Sequence, residues 1–145
     1  MKILAFDPGV TTGYARWDTA ISDNPVAFGE YKKEELFNIL IAIQEIPHAI
    51  VYENYRIRIN PNQKGFRHSF DEVPAARIIG ALELTAHRLG SELVKQESTC
   101  LKVGAGFGGI PVPKGHIKDH LSAMAHGYYF LVKRKVIQPI GKTKS

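Results

Sequence analysis

Residues 2–7 read KILAFD, an apolar run that ends in an acid and is followed at once by Pro8 and Gly9. An apolar run of this length, bounded by turn residues, predicts a buried strand. Beyond the turn, residues 14–17 (YARW) predict a return strand, and residues 26–31 predict a third. The N-terminus therefore predicts three strands joined by two antiparallel steps.

Further along the chain, helices and strands are predicted to alternate. Apolar residues at helical spacing predict amphipathic helices over residues 33–45 and 74–89. Between and after them, short apolar runs predict buried strands over residues 48–53 and 92–95. The result is an α/β domain, with a mixed five-stranded sheet of three antiparallel N-terminal strands followed by parallel strands, flanked by helices.

The remaining segments are predicted to be loops, apart from one last helix. Residues 54–72 are polar without a clean period, and a loop of this length is usually functional or disordered. The glycine-rich residues 104–109 lack a following Gly-Lys-Ser/Thr, so we interpret them as a hinge and not a phosphate-binding loop. A helix is predicted over residues 116–133. We expect one domain over residues 1–137 and a disordered basic tail over 138–145.

Composition limits the possible functions. The 145 residues carry a formal net charge of +5, which favours a polyanionic partner. The single cysteine, Cys100, excludes an internal disulfide and a structural zinc site built from several thiolates. No secretory signal is visible and no apolar run approaches the roughly 20 residues of a membrane span. We therefore expect a cytoplasmic protein that does not engage a membrane.

The positive charge is concentrated in places where it could contact nucleic acid. The predicted loop carries four basic residues that we assign to DNA binding: Arg56, Arg58, Lys64 and Arg67. Lys114 and Lys118, which flank the start of the last helix, are assigned to the same role. Such side chains neutralise phosphates and release counterions. The competing interpretation of each is a solvated surface charge.

Two predicted strands end in acids that should meet. Asp7 ends the first strand, and Glu53 ends the first strand after a crossover helix. A right-handed crossover places such strands side by side, with their carboxyl ends at one edge of the sheet. Close carboxylates repel each other unless a cation lies between them, and Mg²⁺ prefers oxygen ligands of this kind.

The last helix is predicted to add a third acid. His116 and Asp119 are three residues apart, so we expect them on one helix face, and the small Ala123 and Gly127 would let that face approach the sheet. A cluster of three carboxylates can hold two metal ions for in-line phosphoryl displacement. We therefore predict a site built from Asp7, Glu53, His116 and Asp119.

Each of these residues also has an ordinary structural interpretation. Asp7 before Pro-Gly is a common turn former, and Glu53 could be a solvated charge at the end of a strand. Asp119 could complement the helix dipole in the first turn, with His116 as a helix-start residue. For each residue taken alone, the structural interpretation is at least as probable as a functional one. The predicted meeting of all these residues at one edge of the sheet favours a functional site.

Motifs in this order resemble the RuvC-type Holliday-junction resolvases. ILAFDPG at residues 3–9, with TGYA at 12–15, resembles the opening of that family. VYE at 51–53 resembles its second acid, and RIIGA at 77–81 the helix that follows. HIKDHLSAMA at 116–125 resembles its closing helix, in which a His or Asp precedes the final Asp by three positions. The resemblance spans nearly the whole chain.

The resemblance implies a ribonuclease-H-like fold and a homodimer that makes paired nicks in a four-way DNA junction. It implies two Mg²⁺ ions, for which Mn²⁺ could substitute, with Asp7 bridging both and Glu53 and Asp119 each binding one. His116 would help bind metal or handle a proton of the attacking water. The shortness of the chain suggests a phage-encoded or otherwise divergent member, which would act in the host cytoplasm.

The chain departs from the family at two points. The family carries an aromatic residue just after the second acid that probes the junction, whereas here the candidates are Tyr55, Phe66 and Phe70. His120 stands where the family usually has a small residue, so it could face the site or solvent.

Three other functions compete with a junction resolvase. The turn at residues 7–13 also resembles the phosphate loop of sugar-kinase-like ATPases, but those need two such domains and this chain holds one. A non-catalytic junction-binding module is a second alternative, which the intact acids disfavour. An endonuclease of the same fold acting on forks, flaps or other branched DNA stays open.

Overall fold

The protein is described by a computed structural model that covers residues 1–55 and 73–141. Within these residues the chain forms five strands and four helices. The strands are β1 (Lys2–Asp7), β2 (Thr11–Asp18), β3 (Ala27–Lys32), β4 (Ala49–Glu53) and β5 (Glu92–Gln96). The helices are α1 (Lys33–Ile41), α2 (Pro74–Leu89), α3 (Cys100–Gly108) and α4 (Asp119–Lys133).

The strands form one mixed sheet in the order β3-β2-β1-β4-β5. β1 pairs antiparallel with β2, and β2 antiparallel with β3. On the other side, β4 runs parallel to β1, and β5 runs parallel to β4. This arrangement confirms the predicted five-stranded α/β sheet with three antiparallel N-terminal strands.

Apolar side chains on the two faces of the sheet form separate cores. Because successive side chains of a strand point to opposite faces, Ile3 and Ala5 lie in the core that includes residues of α4. Leu4 and Phe6 lie in the opposite core, which includes residues of α1 and α2. Strands β1, β2 and β4 are therefore buried on both faces, and their ends become the places where polar groups can gather.

Helix α2 has the predicted boundaries, whereas α1 is shorter than predicted. Pro74 begins α2, and Gly90 follows its end in the left-handed conformation (φ 69°), which an L side chain rarely adopts. Helix α1 ends at Ile41 instead of residue 45, yet Ile43 still packs against the core. Residues 42–45 were predicted to be helical from their apolar spacing. That spacing reflects the packing of Ile43 against the core from an irregular segment.

The prediction of a hinge at residues 104–109 is wrong, because residues 100–108 form helix α3. A Cβ at Gly104 would lie 1.9 Å from the carbonyl oxygen of Ala125 in α4. Gly104 and Gly108, where a Cβ would meet Ala125 and Tyr128 of α4, therefore permit close contact between two helices, and this packing overrides the low helix propensity of glycine.

The tail predicted to be disordered is in contact with α3 as far as residue 141. The amides of Ile140 and Gly141 both donate to the carbonyl oxygen of Phe107, at 2.7 and 2.8 Å. Residues 142–145 and most of the predicted long loop, 56–72, lie outside the described residues. In the part of the chain that is described, no helix is long and apolar enough to cross a membrane.

Candidate active site

Two acids lie at neighbouring strand ends at the same edge of the sheet. β1 and β4 are parallel and adjacent, with Phe6 opposite Tyr52, so that Asp7 and Glu53 each follow by one position. Strands β1 and β4 are connected through β2, β3 and α1, and the crossover places them side by side as expected. The sheet alone therefore brings two chain-distant carboxylates together.

Helix α4 brings the third acid to this edge because its small residues permit close packing. A Cβ at Gly13 in β2 would lie 1.9 Å from the carbonyl oxygen of Asp119, the first residue of α4. One at Gly127 would lie 2.3 Å from the ring of Trp17. Ala123 is fully buried between these points. The predicted close approach of this helix to the sheet is thus observed.

A single pocket of about 510 Å³ contains all four predicted site residues. It lies at the carboxyl ends of β1 and β4, where open α/β sheets bind their ligands. Its lining consists of Asp7, Pro8, Gly9, Val10, Thr11, Glu53, Leu101, His116, Ile117, Asp119 and Ser122.

His116 reaches the pocket from a loop and not from a helix. The last helix begins at Asp119, three residues later than predicted. His116 therefore does not share a helix face with Asp119, as its spacing had suggested. The His116 side chain is 80% exposed, and its Nε2 lies 3.6 Å from Oδ1 of Asp119. The two groups are nevertheless in contact, with the imidazole on the solvent side of the acid.

Asp7 has the most strongly altered ionisation in the site. Burial, followed by repulsion from the nearby Glu53 carboxylate, raises the pKa of Asp7 from 3.8 to about 6. Hydrogen bonding by Ser122 opposes this shift, and Asp119 adds to it. Burial also raises the pKa of Asp119, followed by repulsion from Glu30 on β3. The pocket therefore contains negative charge that its protein neighbours do not fully compensate.

Three polar residues behind Glu53 were missed by the sequence analysis. His126 of α4 is fully buried; its Nε2 lies 3.0 Å from Oε2 of Glu53 and its Nδ1 lies 2.7 Å from Oε1 of Gln96. The Ser122 hydroxyl donates to the same Glu53 oxygen at 3.3 Å. Ser122 and His126 follow Asp119 by three and seven residues, so their helical spacing could have placed them on the same face.

His120 points away from Glu53, towards strand β3. Its Nδ1 lies 3.0 Å from Oε1 of Glu30, and its ring stacks on Phe28 at a centroid distance of 5.6 Å. Hydrogen bonding by His120 lowers the pKa of Glu30. The sequence left open whether His120 faces the site or solvent; it faces the edge strand beside Asp119.

The residues predicted to bind DNA are only partly covered by the structure. Lys114 and Lys118 are exposed on the loop that carries His116, and neither is among the residues that line the pocket. Tyr55, one candidate for the probing aromatic residue, is 49% exposed two positions after Glu53. The other assigned residues lie outside the described part of the chain: Arg56, Arg58, Lys64, Arg67, Phe66 and Phe70.

The chemistry of the pocket fits a hard divalent cation. Three carboxylates and one imidazole line it, and the Asp7 carboxylate, whose pKa is raised by burial and then by Glu53, is a group that a bound cation would stabilise in its ionised form. Over residues 1–55 and 73–141, no three His, Cys, Asp or Glu side chains lie close enough to form a complete metal-binding group. Binding would therefore have to draw these side chains closer together around the ion.

Comparison with known proteins shows the fold. Neither a scan against protein-family models nor a search of curated proteins gives a match. Solved structures do match over nearly the whole chain, and they show that its α/β fold is similar to that of RuvC. At 10–14% sequence identity these likenesses show a common fold.

Three of these structures can be named. T. thermophilus RuvC in complex with a Holliday-junction substrate has a TM-score of 0.61 at 13% identity, covering 97% of this chain and 99% of that one. RuvC of the same organism in a second structure has a TM-score of 0.57 at 14% identity, covering 97% and 100%. The Fowlpox virus resolvase in complex with Holliday-junction DNA has a TM-score of 0.55 at 10% identity, covering 90% and 99%.

Proposed function

We propose that the protein is a structure-selective DNA endonuclease that resolves four-way junctions by paired, metal-dependent phosphodiester hydrolysis. The observation that carries this proposal is the pocket in which Asp7, Glu53, His116 and Asp119 meet at the carboxyl edge of the sheet. Two proteins of similar fold were solved with junction DNA, which supports the same class of substrate here. A DNA substrate also agrees with the predicted cytoplasmic location.

Asp7, Glu53 and Asp119, with help from His116, would hold two Mg²⁺ ions, for which Mn²⁺ could substitute. Bound ions of this type activate a water molecule and stabilise the charge that develops on a phosphoryl group. Asp7 is the residue best placed to be shared, because both Glu53 and Asp119 influence its pKa. Cation binding would relieve the repulsion among the three acids.

The remaining residues of the pocket would handle protons and the DNA strand. His116 is exposed and in contact with Asp119, so its imidazole can accept a proton from an attacking water. The water oxygen would bond to phosphorus as one phosphorus–oxygen ester bond breaks. Lys114 and Lys118 would neutralise the phosphates on either side of the reacting group.

Paired nicks require two such sites, so we propose that the active form is a homodimer. Helix α2 offers an apolar position for a subunit contact, because Leu84 is 69% exposed, whereas Ile78 is buried in the core. Static light scattering of the purified protein across a concentration series tests this point. A mass of one chain at all concentrations, together with full junction cleavage, would contradict it.

The experiment that tests the function compares the products from labelled four-way junction, linear duplex and flap, with Mg²⁺ and with EDTA. The proposal predicts symmetric nicks in the junction with Mg²⁺, none with EDTA, and little cutting of duplex. Preferred cleavage of the flap would indicate the related nuclease activity on other branched DNA. Junction binding without any product in Mg²⁺ or Mn²⁺ would indicate a non-catalytic binding module.

A further inference from the structure

A buried row of polar side chains lies directly behind Glu53. Gln96 at the end of β5, His126 in α4 and Glu53 at the end of β4 are joined by contacts of 2.7 and 3.0 Å. His126 is fully buried and Gln96 is only 6% exposed. The row thus links the ends of two neighbouring strands to the helix that carries Asp119.

The contacts of His126 engage both nitrogens of its ring. Nε2 lies 3.0 Å from Oε2 of Glu53, and Nδ1 lies 2.7 Å from Oε1 of Gln96. When the Gln96 amide is turned so that it donates to Nδ1, the neutral ring carries its proton on Nε2 and donates it to the Glu53 carboxylate.

The hydrogen bonds also determine which oxygen of Glu53 is engaged. Both His126 and Ser122 contact Oε2, and neither contacts Oε1. Because His126 is itself packed in the core and bonded on its other side to Gln96, the carboxylate is anchored to a rigid part of the protein. A carboxylate anchored in this way is preorganised to offer its other oxygen to a ligand.

We propose that His126 is a positioning residue, which together with Gln96 orients Glu53 for cation binding. This inference rests on the proposed function, because it concerns how the same pocket holds its metal. The alternative is that His126 merely fills the core between α4 and the sheet. A residue that only fills space would affect stability without any specific effect on metal affinity.

Three substitutions of His126 separate these roles. Glutamine and asparagine each reproduce a different nitrogen of the ring, and methionine reproduces neither. In His126→Gln the amide nitrogen can occupy the place of Nε2 and still donate to Glu53. In His126→Asn the amide can reach only the place of Nδ1, next to Gln96. His126→Met fills the space with a flexible apolar chain and supplies no donor.

The test is Mn²⁺ affinity of the full chain without DNA, measured by electron paramagnetic resonance titration and corrected for the folded fraction from circular dichroism. We expect His126→Asn and His126→Met to weaken affinity by roughly 10- to 100-fold, as loss of a group that orients a ligand usually does. His126→Gln should stay close to wild type. His87→Asn, on the exposed end of α2, is the matched control and should leave affinity unchanged.

Each outcome of the Mn²⁺ titration either supports or contradicts a positioning role for His126. Equal affinity in the Gln, Asn and Met variants, whether all unchanged or all reduced alike, would overturn it. If His126→Asn does not fold, the comparison of Gln with Met decides the matter in the same way. Failure of the wild-type protein to bind Mn²⁺ at all would instead contradict the proposed function, and the inference would fall with it.

Discussion

Asp7 is the residue on which burial and neighbouring charge act most strongly. Its position at the end of a buried strand could be predicted from the sequence, because an apolar run that stops at an acid is a local signal. Its perturbed pKa could not, since that depends on Glu53 and Asp119 from distant parts of the chain. The helical spacing of His126 from Asp119 was a usable signal, whereas its contacts with Gln96 and Glu53 join distant parts of the chain and form only after folding.

Removing the charge of Asp7 should stabilise the metal-free protein. Because the pKa of Asp7 is raised from 3.8 to about 6, the folded state binds this proton more tightly than the unfolded state. Stability of the wild type therefore falls as pH rises from about 4 to 6. We expect Asp7→Asn to remove this loss and to be more stable at pH 7 by up to about 3 kcal/mol.

Urea unfolding in EDTA at pH 4 and pH 7 measures this effect. The gain from Asp7→Asn should be present at pH 7 and largely absent at pH 4, whereas Glu35→Gln, an exposed position on α1, should show no such dependence. The same Asp7→Asn variant should lose cleavage and still bind junctions. Normal cleavage by it would remove Asp7 from the site.

Metal affinity should also depend on pH through Asp7. A cation and a proton compete for the same carboxylate, so Mn²⁺ should bind more weakly as pH falls through about 6. Titrations at pH 5, 6 and 7.5 check this, and an affinity that is flat over that range would contradict a role for Asp7 as a ligand.

At the scale of elements, α4 determines whether the site assembles. Its apolar stripe and small residues were visible in the sequence, and so was its contact with the sheet. The helix was predicted to start at His116, three residues too early. The spacing of His116 and Asp119 suggested a shared helix face, whereas His116 contacts Asp119 from the loop before the helix. Helix α3 was missed because glycines usually indicate a loop, whereas here Gly104 permits contact with Ala125.

The close packing of α4 against the sheet predicts that replacing Gly127 lowers the stability of the fold. A Cβ at Gly127 would lie 2.3 Å from the fully buried ring of Trp17, so Gly127→Ala should destabilise the fold by about 1–3 kcal/mol. Gly80→Ala, in α2 with open space around it, is the matched control and should stabilise by about 0.5–1 kcal/mol. Chemical denaturation of both variants measures the difference; equal stabilities would contradict the described packing.

At the scale of the whole molecule, exposed basic side chains occur in different parts of the chain. Lys114 and Lys118 flank His116 in the sequence, on the loop that precedes Asp119, whereas Lys2 and Arg134 lie at or near the opposite ends of β1 and β5, paired with Glu45 and Glu92. The antiparallel steps at the N-terminus and the side-by-side position of β1 and β4 were predictable from the turns and from the alternation of helices and strands. The residues assigned to DNA binding remain a prediction, and four of the six lie outside the described residues.

Replacing both lysines at the site should weaken junction binding and reduce its salt dependence. Each lost phosphate contact lowers the slope of log K against log salt by about 0.9, so Lys114→Ala with Lys118→Ala should lower it by nearly 2. Fluorescence anisotropy from 50 to 200 mM salt measures the slope. Lys2→Ala with Arg134→Ala removes the same charge elsewhere and should leave it unchanged; equal slopes in both double variants would argue against this face as the DNA surface.

The most direct test of the account is the anomalous scattering from a crystal of the protein grown with Mn²⁺. We expect anomalous peaks between Asp7, Glu53 and Asp119, with oxygen atoms of all three side chains as ligands. Clear Mn²⁺ peaks elsewhere and none among these three acids would contradict it.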